Sequence, residues 1–178
     1  MLYEFSKQFE SFVKACKSQW VCGGDRYALE ENKEFTDLVC EIAGNIWIGG
    51  NIIKYSGEIW NSKRHGEPIV EVNFFKIAVY SYIWWLKEVK HPTTGIALKK
   101  KYWYEFVVGM WKAHCGLDKL GEIGTDTFIE LIDWLKMLGP KKIEYWDILF
   151  TVGARAYEWW LLEQHNLTDR DKGEEFEK

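Results

Sequence analysis

Ile46-Trp47-Ile48-Gly49-Gly50-Asn51-Ile52-Ile53-Lys54-Tyr55 is the stretch on which the fold turns. Read one way, Ile46-Trp47-Ile48 and Ile52-Ile53-Lys54-Tyr55 are two strands joined across Gly-Gly-Asn, a sequence suited to a hairpin turn. Read the other way, it is the middle of a long helix that tolerates glycine, at a cost of roughly 1 kcal/mol per glycine against alanine. The spacing Phe35, Leu38, Ile42, Ile46, Gly49, Ile53 continues across the glycines with a period near 3.6, so residues 34–60 are taken as helix, with Ile46 and Ile53 on its inward face. The hairpin stays open as the alternative.

Outward from this stretch, the same three-and-four spacing recurs. Leu2, Phe5, Phe9, Phe12, Cys16 and Trp20 mark a first helix over 3–20, and Gly23-Gly24 follows it. Asn61 to Pro68 is a polar connection. Val72, Phe75, Val79, Tyr82, Leu86 and Val89 then trace a helix over 70–90, which His91-Pro92 stops. Tyr102, Phe106, Met110 and Trp111 lie on a helix over 98–115. Phe128, Leu131, Ile132, Leu135 and Leu138 lie on one over 126–138, capped by Thr125 or Asp126 and ended by Gly139-Pro140. Tyr145, Ile148, Leu149, Val152, Ala156, Trp159 and Trp160 complete a helix over 142–164. These elements predict an all-α fold, a single-domain bundle of about six helices over 1–165. Eight of the ten residues from Asp169 onward are charged, so 166–178 reads as a disordered tail.

Eleven Trp, nine Tyr and ten Phe among 178 residues make the chain aromatic-rich. Most sit on the inward stripes, but Trp47, Trp60, Trp84, Trp103, Trp134 and Trp146 do not. A pocket or partner surface is to be sought beside those six. At 47% hydrophobic and 28% charged the chain is globular in composition, and no apolar run approaches the ~20 residues that cross a bilayer. Glu4 and the lack of a basic lead-in argue against a signal peptide, so a cytoplasmic location is expected. Four sparse cysteines, 16, 22, 40 and 115, are expected as reduced thiols. Gln occurs only at 8, 19 and 164 while Glu and Lys abound, a thermophilic lean.

The net charge of −4 argues against nucleic acid as the partner. Lys99-Lys100-Lys101 runs into Tyr102-Trp103-Tyr104, the cation and ring types of single-strand sites, yet around a helix these cannot all face one way. The four histidines form no His-x-x-x-His pair, no Gly-x-Ser-x-Gly surrounds a nucleophile, and no Gly-x-x-x-x-Gly-Lys-Ser/Thr phosphate loop is present. No catalytic residue is assigned, and enzymatic activity is left open. Three Glu-x-x-Asp pairs, Glu34/Asp37, Glu130/Asp133 and Glu144/Asp147, place two carboxylates on one helix face. The longer stripe Glu34, Asp37, Glu41, Asn45 suits Mg²⁺, which takes a few carboxylate oxygens plus water and substrate phosphate. Asp37 and Glu41 are the expected metal ligands.

Gly50-Asn51-Ile52-Ile53-Lys54-Tyr55, followed about twenty residues later by Lys76-Ile77-Ala78-Val79-Tyr80, resembles a small phage and prokaryotic helical family with Gly-Asn-x-x-Lys-Tyr and a Lys-Ala/Tyr-Leu helix after it. Some of its members are described as nucleotide kinases without a P-loop. The pattern is similar, more distantly, to the all-α MazG-like nucleotide pyrophosphatases. It spans about residues 38–90 and departs from the family in two ways: Glu58 stands where an Arg is usual, and the second helix has its Ala and Tyr at altered offsets; the Glu-x-x-Glu pair of MazG-like helices is also missing. The resemblance implies that Asn51, Lys54, Tyr55 and Lys76 face a phosphate-bearing ligand, a nucleotide bound or processed with Mg²⁺. The alternative is a non-enzymatic interaction protein, a homo-oligomer or partner-binding module using exposed aromatic residues.

Overall fold

The computed structural model describes residues 5–24, 45–88, 100–117, 129, 131–133 and 146–174. Within them the chain forms five long helices, α1 (Lys7–Gly24), α2 (Asn45–His65), α3 (Val72–Glu88), α4 (Lys100–Gly116) and α5 (Trp146–Glu174), and no strand. Ile129 and residues 131–133 are also helical, and Leu131 is buried, as expected for the helix over 126–138. The architecture is an all-α bundle.

The hairpin alternative is excluded, because α2 runs unbroken through Gly49, Gly50 and Gly57. Gly49 has a reason to be glycine: a Cβ there would stand 3.0 Å from Cζ3 and 3.3 Å from Cη2 of Trp84. The polar connection begins later than the sequence suggests, since α2 continues to His65. Gly66, with φ of 68°, then supplies the left-handed cap. Its N–H reaches Lys63 O at 3.2 Å and the N–H of Glu67 reaches Ser62 O at 2.9 Å, the paired bonds of a Schellman motif. At the other end of the chain, Ser6 caps α1 by accepting the N–H of Phe9 at 3.2 Å.

The inward face of α2 differs from the expected one. Ile48, Ile52, Ser56 and Ile59 are buried, whereas Ile46 is 86% exposed and Ile53 is 40% exposed. Isoleucines on nearly every side of the helix leave its periodicity ambiguous. Ser56, polar by type, fits the buried side because its hydroxyl donates to Ile52 O at 2.7 Å.

Helix α3 is the centre of the bundle and packs on α1, α2, α4 and α5. From Ile77 to Leu86 all but Tyr80 are buried, the signature of a helix surrounded by others. Tyr82 gathers Trp20, Trp85, Trp103 and Phe106 around its ring. Trp84 and Trp103, unplaced from sequence, belong to this core. Helices α4 and α5 approach through glycines on both sides. A Cβ on Gly109 would fall 2.6 Å from the Phe150 ring, and one on Gly153 would fall 2.5 Å from Met110 Sδ. At the far end, Glu71, just before α3, accepts the indole N–H of Trp160 at 2.8 Å and ties α5 in place. Helix α5 continues to Glu174, nine residues into the stretch expected as a charged tail. Asp, Arg, Lys and Glu carry little or modest helix penalty, so high charge there is compatible with helix continuation.

Candidate functional site

Four residues singled out from the sequence lie together on the outer side of the α2/α3 pair. Asn51, Lys54 and Tyr55 share one face of α2, and Lys76 meets it from α3. The ammonium of Lys76 lies over the Tyr55 ring at 4.5 Å from its centroid, and that of Lys54 lies at 5.1 Å. Among the described residues neither lysine has a carboxylate partner. Asn51 donates its side-chain N–H to Trp47 O at 2.9 Å, so part of its amide serves its own helix.

Two further rings complete the patch, and sequence reasoning did not assign them to it. Tyr80, one turn after Lys76, stacks on Tyr55 at 5.9 Å and 17°, and Trp47 meets Tyr80 edge-on at 5.6 Å. Trp47 is one of the tryptophans that the inward stripes do not take up, and that is the sequence signal for it. Along the antiparallel α2/α3 pair the order is Trp47 with Tyr80, then Tyr55 with Lys76, then Glu58 with Asn73. In that last rung Asn73 donates to Glu58 Oε2 at 3.0 Å. One end of the patch is therefore aromatic, the middle cationic, and the far end carries an oriented carboxylate.

Asp37 and Glu41, the expected metal ligands, lie outside the described residues. Among the described residues no three His, Cys, Asp or Glu side chains gather as a metal site. Of the basic-aromatic run, Lys99 also lies outside them. Trp103 is buried and stacks on Phe106 at 6.0 Å, while Tyr104 is 57% exposed, so these two rings do not form one platform.

A second polar group sits inside the bundle between α1, α4 and α5. Glu158 is only 1% exposed and accepts from the Arg155 guanidinium at 2.7 Å, which offsets part of the cost of burying its charge. His114 packs edge-on to Tyr157 at 4.9 Å, and its Nδ1 is buried without a hydrogen-bond partner among the described residues. Burial pushes the His114 pKa down, opposed by the negative charge of Glu158. Burial likewise pushes the Tyr157 hydroxyl up, while its hydrogen bond with Ser6 at 3.3 Å works the other way. The ion pair lies within α5, and Tyr157 links that helix to Ser6 at the start of α1 and to His114 on α4, so these contacts read as core packing.

Compared with protein-family models, with curated proteins and with solved structures, the chain has no match.

Proposed function

We propose that the outer α2/α3 face binds a nucleoside phosphate, with the base against Trp47 and Tyr80, the phosphates met by Lys54 and Lys76, and Mg²⁺ as cofactor. The observation that carries this reading is the placement of two ammoniums, with no carboxylate partner among the described residues, over one tyrosine ring that is itself stacked on a second. Cation–π attraction at an exposed ring is worth about 0.5–1 kcal/mol, comparable to the repulsion of two like charges a few ångströms apart in water. The pair is therefore poised for an anion, which would satisfy both lysines at once. The aromatic neighbours narrow that anion to one carrying a flat ring. The sequence resemblance points to the same ligand class. Binding is the claim, and a chemical step is left open.

The test is a thermal-shift and calorimetric screen with deoxynucleoside triphosphates, with and without Mg²⁺. Ligand at about 100 times Kd stabilises by about 2.7 kcal/mol, which raises Tm by several degrees in a chain of this size. Lys54→Met with Lys76→Met should remove the rise. No shift above ~1 °C at millimolar ligand would sink the reading.

The second reading is a non-enzymatic interaction protein, a homo-oligomer formed through α2. It is favoured by Ile46 and Ile53, both exposed, flanking Gly50, where a Cβ would meet nothing within 4 Å. A mass that stays monomeric across a hundredfold range of concentration, on the order of micromolar to 100 micromolar, rejects it.

A further inference from the structure

Asn73 is 3% exposed, yet its side-chain amide is spent on a residue at the surface. A buried amide must find a partner, and the partner here is Oε2 of Glu58 at 3.0 Å. The consequence falls on Glu58. A glutamate on an exposed helix face ordinarily samples many rotamers, and this one is held. Glu58 follows Lys54 by four residues and Tyr55 by three, while Asn73 precedes Lys76 by three, so the carboxylate occupies the rung next to the two lysines. It forms an ion pair with neither of them.

A phosphate chain held by Lys54 and Lys76 therefore meets a fixed negative group at its end. Two anions in that position repel unless a cation is shared between them. Mg²⁺ is commonly bound this way, through one or two carboxylates plus substrate phosphates and water. Resting on the nucleoside-phosphate reading above, we propose that Glu58, oriented by Asn73, is the carboxylate through which a divalent cation joins the protein to the ligand's phosphates, so that a triphosphate binds as its Mg²⁺ complex.

Glu58→Gln is the discriminating variant. Its amide oxygen still accepts from Asn73, so the rung between α2 and α3 survives while the charge is lost. Calorimetry would use dATP and dAMP, each with Mg²⁺ and with EDTA, on the wild type, Glu58→Gln and Lys76→Met. In the wild type, Mg²⁺ should tighten dATP by about tenfold, and in Glu58→Gln that enhancement should fall to about twofold or less as metal-free dATP binds more tightly. Glu58→Gln that keeps the full Mg²⁺ enhancement, while dAMP still binds and is weakened by Lys76→Met, overturns the role of Glu58 and leaves the nucleotide site standing. No binding of dATP or dAMP under either condition overturns both.

Discussion

Gly50 and Gly109 both sit inside helices, and alanine at the two positions should move stability in opposite directions. At Gly50 a Cβ meets nothing within 4 Å, so alanine gains the helix-propensity difference, about 0.8–1 kcal/mol. At Gly109 the same gain is opposed by the ring of Phe150. The new Cβ would lie 2.6 Å from Cδ1 and Cε1 and 2.7 Å from Cγ, against an ordinary contact that begins near 3.4 Å. The ring has little freedom to retreat, being packed on Phe106 at 5.4 Å and on Trp85 at 5.9 Å. Overpacking of this kind costs about 1–3 kcal/mol, which leaves a net loss of about 1 kcal/mol for Gly109→Ala. The two variants should then differ by about 2 kcal/mol, or about 4–8 °C in Tm. Urea denaturation followed by circular dichroism measures both, and m should stay constant. Adding Phe150→Leu to Gly109→Ala should recover part of the loss, giving a double mutant less destabilised than the sum of the singles. Gly109→Ala as stable as Gly50→Ala would refute the close α4/α5 approach.

Two other outcomes follow from groups inside the bundle. His114 has its pKa lowered in the fold, so the unfolded chain takes up a proton there first as pH falls below the usual value of about 6.5. Its contribution is fully present above that pH and is lost on acidification through the folded-state pKa. Urea titrations at a series of pH values should show stability declining on the acid side, and His114→Gln should flatten that part of the profile; an unchanged profile counts against the buried imidazole. Cys16 is buried in the core with its thiol pKa pushed well up, and Cys115 is exposed, so a thiol reagent mapped by mass spectrometry should label Cys115 in the native protein and Cys16 only on unfolding. Equal native labelling of the two would contradict the packing of α1.

The helical class was legible because its signal is repetitive: apolar residues three and four apart survive errors at single positions. The orientation of α2 was not, because Ile46, Ile48, Ile52, Ile53 and Ile59 make more than one face apolar. The buried side is set by packing against α3, where Ile48, Ile52, Ser56 and Ile59 are buried and Gly49 faces Trp84. The same limit applies to the site. Lys54, Tyr55 and Lys76 carry a motif and could be picked out along the chain. Tyr80, Asn73 and Glu58 acquire meaning from the register of α3 against α2, which places Tyr80 on Tyr55 and Asn73 on Glu58. A single sequence holds no direct record of that register. Trp84 and Trp103 failed to fit one-sided stripes for a related reason, since α3 is buried nearly all round and rings from four helices converge on it.

The central claim is that the α2/α3 face receives a nucleoside phosphate. Amide chemical-shift mapping during titration with dATP and Mg²⁺ tests it most directly, because it reports location as well as binding. Perturbations should concentrate at residues 47–58 and 73–80, and Lys54→Met with Lys76→Met should abolish them. Saturable shifts centred elsewhere, on the start of α4 for instance, or no shifts at millimolar ligand, would contradict it.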